Sequence, residues 1–212
     1  MKYNITEEET RIHAHVCCDG CLSTAISRRC LSELIERPNR TFRNRYVVEY
    51  WNLDPILKSE FIQDVKKAYK RKCVAKNKVA KVDGKWIYQR LKSLGAGKSR
   101  EWEIPEDVMF GNPENKKQWI RVMIDDEGTI TKHGGIRIKS VNRRGLLQVM
   151  NMFKSLGIRS HITPFKGSYT DGSFYLVVEK KEVSNLIKVI GPLKHLKKQE
   201  RLKSIFILKE RI

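Results

Sequence analysis

The sequence predicts an α+β protein made of two similar units, and three observations predict it. A helix-length segment ending in a carboxylate directly before glycine occurs twice, as Ile12-His13-Ala14-His15-Val16-Cys17-Cys18-Asp19-Gly20 and Ile120-Arg121-Val122-Met123-Ile124-Asp125-Asp126-Glu127-Gly128. Each copy is followed by short stretches of alternating apolar and polar residues, the pattern of half-buried strands, with a helical apolar spacing between the strand pairs. Both units therefore read helix, two strands, helix, two strands, helix, with residues 1–97 as the first, 98–112 as a linker and 113–212 as the second.

The first helix has a capping box, Thr6-Glu7-Glu8-Glu9, in which the hydroxyl and the Glu9 carboxylate are expected to satisfy free amides reciprocally. The second motif helix opens at Asn112-Pro113, a cap followed by proline at the first helical position. Gly20 and Gly128 are expected to end these helices through left-handed torsions. Residues 21–29 alternate Leu22, Thr24 and Ile26 with Ser23, Ala25 and Ser27 as a strand; 37–45 read as a basic polar loop, and Tyr46-Val47-Val48-Glu49-Tyr50-Trp51 as the next strand. Asp54-Pro55 begins a helix carrying Ile56, Leu57, Phe61, Val65 and Ala68, which ends near Tyr69. Residues 72–82 make a strand pair, and 84–94 a short helix stopped by Gly95-Ala96-Gly97. In the linker, Trp102, Ile104 and Pro105 predict packing against the units. The second unit repeats the order: a hairpin around Gly134-Gly135, a helix capped by Asn142 and ending at Leu156-Gly157, a hairpin over 158–165 and 173–179, and helices over 181–190 and 193–204.

Asp19 and Glu127 sit where a helix end is already negative, so something must compensate. If the two motif helices pack together, both acids and both carbonyl ends converge, and a hard divalent cation with oxygen ligands would relieve the repulsion. Packing this way also joins the two sheets into a concave, saddle-like surface whose isoleucines face inward while Arg137, Lys139, Arg159 and His161 face outward, which suits β-ribbons in a major groove.

Composition agrees with such a partner. Lys and Arg number 43 against 24 Asp and Glu, a formal charge of +19, and a surplus of that size favours polyanions. Apolar residues are 40%, and no run approaches the roughly 18 needed to cross a bilayer, so a soluble protein with no membrane partner is expected. The start, Met1-Lys2-Tyr3-Asn4-Ile5-Thr6-Glu7, lacks a secretion signal, which places the chain inside the cell, in cytoplasm, nucleoid or organelle matrix. The five cysteines, Cys17, Cys18, Cys21, Cys30 and Cys73, do not suggest a disulfide framework. His13 with Cys17, and Cys18 with Cys21, have zinc-like spacings, but no second pair follows downstream, so buried thiols are expected.

Over nearly its whole length the chain resembles the LAGLIDADG homing endonucleases in their single-chain, two-motif form. Carrying the resemblance are Met123-Ile124-Asp125-Asp126-Glu127-Gly128-Thr129-Ile130, Ser140-Val141-Asn142, Leu156-Gly157-Ile158 and Val189-Ile190-Gly191-Pro192-Leu193, with Gly20-Cys21-Leu22, Asn52 and Trp102-Glu103-Ile104-Pro105 in the first unit. It implies a monomer that makes a staggered double-strand break in a long DNA target, using Mg²⁺ (or Mn²⁺). By position, Asp19 and Glu127 would bind the ions, with the backbone carbonyls of Cys18 and Asp126 assisting. A catalytic lysine is expected where the helix after the second hairpin begins: Lys85 in the first unit, Lys180 or Lys181 in the second. The expected DNA-contacting set is Ser23, Ser27, Arg29, Arg45, Lys76, Lys78, Thr131, His133, Arg137, Lys139, Arg159 and His161. Ala14 keeps the small residue for close helix contact, whereas Val122 is bulkier; Cys17 replaces a frequent acid and Asp126 a frequent small residue. His13 and His15, inside the motif helix, are read as packing or interface residues.

The alternative is a catalytically silent nucleic-acid binder on the same scaffold, a transcription factor or a maturase gripping intron RNA. A ribosomal-type RNA module would show stacking aromatics in an RRM signature, and none occurs. An intein would need a splicing junction, and the closing Lys209-Glu210-Arg211-Ile212 has none.

Overall fold

The computed structural model describes residues 4–28, 42–165 and 172–207; for Arg28, Phe206 and Ile207 it describes the backbone alone. The first unit runs α1 (Glu7–Asp19), β1 (Gly20–Arg28), β2 (Phe42–Trp51), α2 (Pro55–Tyr69), β3 (Val74–Lys76), β4 (Val79–Asp83) and α3 (Lys85–Ser93). A short α4 (Glu106–Phe110) follows in the expected linker. The second unit is α5 (Pro113–Glu127), β5 (Gly128–Ile130), β6 (Ile136–Ser140), α6 (Arg143–Ser155), β7 (His161–Pro164), β8 (Phe174–Val178), α7 (Lys180–Ile190) and α8 (Leu196–Ile207). Each unit has a four-stranded antiparallel sheet, ordered β1-β2-β4-β3 and β5-β6-β8-β7. The α+β class and the order of elements are those the sequence predicts. Among the described residues, no helix is long and apolar enough to cross a membrane.

The motif helices α1 and α5 pack against each other at the centre of one continuous core. Ala14, Val16, Ile120, Val122 and Ile124 are buried there to 1% exposure or less, so the bulk of Val122 is accommodated. Both sheets bury one face. In the second, Ile136 and Ile138 are fully buried while Arg137 between them is exposed, the period-2 pattern of a one-sided sheet.

Three local expectations need correction. The Thr6 hydroxyl does accept from the Glu9 amide (3.2 Å), but the Glu9 carboxylate turns to Arg90 (3.0 and 3.1 Å) instead of returning to the cap. A charge-assisted, bidentate pair outbids a single neutral amide. Gly20 (φ −116°) and Gly128 (φ −69°) are not left-handed; both leave the helix directly into extended backbone. Glycine is required by close approach: a Cβ at Gly20 would lie 2.6 Å from the Glu49 carbonyl oxygen and from Val16 Cα, and one at Gly128 2.5 Å from the Ile124 oxygen. Residues 42–45, expected as loop, belong to β2, because Ser27 pairs with Arg43 and Ala25 with Arg45 across the sheet. Smaller shifts occur in the tail, where α8 begins three residues beyond the expected Leu193.

The linker packs as its sequence predicts. Trp102 and Ile104 are each 3% exposed, Asn142 donates to the Trp102 carbonyl (2.6 Å), and Gln148 accepts from the Ile104 amide (2.9 Å).

Candidate active site at the paired helix ends

Because α1 and α5 lie side by side, their last carboxylates share one electrostatic environment at the junction of the two units. Asp19 and Glu127 are both half-buried. Burial first, and then the charge of Asp126, push the Asp19 carboxyl up to about 6, while Lys198, His15 and Asn52 pull the other way. Burial, then Asp19 and Asp126, push Glu127 up to about 7, opposed by Lys198. Desolvation and like charge thus disfavour having both acids ionised together.

Asp126 lies beneath the pair and is held on three sides. His15 Nδ1 is 2.9 Å from its Oδ2, the Tyr50 hydroxyl donates to Oδ1 (2.7 Å), and Asn52 Nδ2 reaches both Asp126 Oδ1 (3.4 Å) and Asp19 Oδ2 (3.1 Å). Strand β2 makes this possible: Tyr50 is the cross-strand partner of Gly20, so its core-facing ring projects under the end of α1, and Asn52 follows directly after the strand's last residue, Trp51. Burial opposes protonation of His15, but Asp126 and Glu60 outweigh it and raise its pKa to about 9, which makes it a buried imidazolium. His13 is the reverse case: burial lowers it to about 4, and the neutral ring accepts from Trp119 Nε1 (3.1 Å).

A second layer of ion pairs braces α1, α2 and α5. Glu60 on α2 receives Arg121 (2.7 Å) and Lys194 (2.6 Å) and stands 3.7 Å from His15 Nε2; burial raises its pKa, yet these partners together drive it well below the usual range. Arg121 also reaches Asp125 (2.7 Å), and Asp125 accepts the amides of Lys194 and His195 (3.0 Å each). Lys198 Nζ then donates to three successive carbonyls at the end of α5, those of Ile124 (3.1 Å), Asp125 (2.5 Å) and Asp126 (3.0 Å).

The lysines singled out in the sequence make contacts of their own. Lys85, exposed at the start of α3, lies over the Tyr46 ring at 5.8 Å. Tyr46 is four residues along β2 from Tyr50, about 13 Å at strand rise. Lys180 packs beside Gly134, and Lys181 is exposed on α7. The cation beside both acids is Lys198, which sequence reasoning missed; its position more than 70 residues downstream leaves no local signal. Asn52, Tyr50 and Glu60 were also outside the expected site residues.

The strand residues divide by face. Cross-strand register puts Ser23, Ser27, Arg45 and Lys76 on the open face of the first sheet, opposite to the face carrying Val48 and Tyr50. Arg45 pairs with Asp83 on that face, and Lys78, in the β3–β4 turn, lies over Trp51 at 5.9 Å. In the second sheet Arg137, Lys139 and His161 share the open face, with Lys139 over the Phe165 ring at 4.2 Å and Arg137 over Tyr175 at 5.9 Å. Thr131 and His133 lie in the β5–β6 turn, where the Thr131 hydroxyl accepts from the Gly135 amide (3.0 Å). Arg159 bonds Glu182 (2.6 Å), which ties it to α7. Arg29 lies outside the described residues.

The described cysteines are free thiols. Burial pushes the thiols of Cys17 and Cys18 well up and that of Cys73 to about 11. Among the described residues no group of three His, Cys, Asp or Glu side chains could hold a metal, so the zinc-like spacings do not close into a site; Cys30 lies outside the described residues. Two carboxylates do suit magnesium, which is commonly held by one or two carboxylates and completed by water and substrate phosphate.

No protein-family model and no curated protein matches the chain. Solved structures do. The homing endonuclease I-DmoI in complex with DNA and Mn is similar with a TM-score of 0.63 at 15% identity, over 87% of this chain and 96% of that one. Similar too are the N-terminal LAGLIDADG domain of DUF199/WhiA (0.55, 10% identity, 95% and 90% covered) and full-length DUF199/WhiA from Thermatoga maritima (0.57, 13%, 98% and 62%). The chain therefore has the two-unit LAGLIDADG fold, and at these identities the likeness is one of fold.

Proposed function

We propose that this protein is a site-specific homing endonuclease, a divalent-metal-dependent phosphodiesterase that breaks both strands of a long DNA target and leaves staggered ends. The observation that carries this reading is the pairing of Asp19 and Glu127, each raised in pKa, at adjoining helix ends. Two half-buried acids kept together at a cost to stability mark a functional site better than a structural one. Support also comes from the fold's neighbours, since I-DmoI has been solved on DNA with Mn, with Mg and with Ca. Mg²⁺ or Mn²⁺ bound by Asp19 and Glu127, with the Cys18 and Asp126 carbonyls near, would neutralise the phosphate and lower the pKa of an attacking water.

The chain's own residues supply the positioning. Asn52 and Tyr50 fix Asp126 and Asp19, and Arg137, Lys139, His161, Ser23 and Ser27 on the open sheet faces would align the duplex. With both motif copies in one chain a monomer suffices, and a reducing intracellular compartment would suit its free thiols. Purified protein incubated with a randomised duplex library and Mg²⁺ should cut a subset of duplexes, and Asp19→Asn and Glu127→Gln should each abolish cutting while binding persists.

The second reading, a nucleic-acid binder without cleavage that takes DNA or intron RNA, draws on Lys198, whose ammonium already occupies the α5 carbonyls. It expects duplex selection by binding with no product from the unmutated protein at any Mg²⁺ concentration.

A further inference from the structure

The carbonyl end of α5 already holds a cation, and its placement is over-determined. Lys198 Nζ bonds three consecutive carbonyls. The segment before it is locked to the same helix, because Asp125 accepts two of its backbone amides and is itself pinned by Arg121. The ammonium faces Asp126, Asp125, Asp19 and Glu127. At the corresponding end of α1 no described lysine bonds the carbonyls. Beside that end lies a cleft of about 320 Å³, lined by Cys17, Cys18, Gly20 and Cys21 with Lys92 and Lys98 at its wall, and Asp19 is outside its lining. The two ends of the paired motif are thus unequal.

Resting on the nuclease reading above, we propose that Lys198 is a resident cation that takes the place of one of two divalent ions, so that the site gathers a single divalent ion through Asp19 and Glu127. Two reasons support it. Carbonyl lone pairs spent on an ammonium are poorer ligands for a metal, and a fixed positive charge a few ångströms away repels a second dication in a low-dielectric site. Lys198 acts on helix end and acids rather than on substrate, which makes it a positioning residue.

The test is Mn²⁺ uptake, read by electron paramagnetic resonance on the protein bound to a duplex recovered by binding selection, with duplex alone subtracted. One Mn²⁺ per unmutated chain is expected, one for Lys198→Arg, and two for Lys198→Met, in which the second ion should bind at least tenfold more tightly than in the unmutated protein. Two ions on the unmutated chain, or a single ion on a folded Lys198→Met, would overturn the inference. Should Lys198→Met fail to fold, the counts for the unmutated chain and Lys198→Arg decide. Ion counts indifferent to Lys198 in a protein that cuts DNA sink this inference alone; no Mn²⁺ uptake together with no cutting sinks the nuclease reading as well.

Discussion

Two carboxyls sharing a buried helix junction cannot both ionise freely, and the consequence is measurable without substrate. In the folded chain Asp19 and Glu127 sit near 6 and 7, against 3.8 and 4.5 unperturbed. Between about pH 4 and 7 the folded state therefore binds more protons than the unfolded one, and stability falls as pH rises through that window. Metal-free Asp19→Asn and Glu127→Gln should each be more stable than the parent by about 1–2 kcal/mol at pH 8 and equal to it near pH 4, in urea unfolding at both pH values. Loss of stability at pH 8 would contradict the picture of opposed acids. His15, raised to about 9 as Asp126 and Glu60 outweigh burial, adds in the same direction: its contribution is full below about 6.5 and is lost through pH 9. Gly20→Ala should cost about 2–4 kcal/mol, read as a lowered urea midpoint with unchanged slope, because backbone must move to admit the methyl.

Between elements, the decisive bonds join residues far apart in sequence. Arg121, 3% exposed, bridges Glu60 on α2 and Asp125 on its own helix. Arg121→Met should destabilise by about 3–5 kcal/mol, since two buried carboxylates lose a shared partner. The linker is anchored with similar specificity: a Cβ on Gly145 would come within 2.3 Å of the buried Trp102 ring, so Gly145→Ala should lower the melting temperature by several degrees. Elements with local signals were legible in the sequence. Asn112-Pro113, Asp54-Pro55 and Asn142 all cap the helices expected of them, and Ile136 and Ile138 face the core. Invisible were the features set by partners: the extension of β2 by pairing with β1, the diversion of Glu9 to Arg90, and the arrival of Lys198 at α5. The five-residue α4 carries no periodicity that a sequence could display.

On the scale of the whole molecule, a charge of +19 and two open sheet faces make one argument about a polyanion. Affinity for duplex DNA should fall steeply with salt, and Arg137→Ala with Lys139→Ala should flatten the log–log slope by about 1–2 without altering stability appreciably. On the proposed function the acid pair should contribute little to that affinity and serve the chemistry instead. The most direct check follows both strands of one selected duplex in a single-turnover reaction with Mg²⁺, for the parent, Asp19→Asn and Glu127→Gln, with binding measured in parallel. The account predicts cutting by the parent and a loss of at least about 10³ in rate for each variant at unchanged affinity. Either variant cutting both strands at the parent's rate would contradict it.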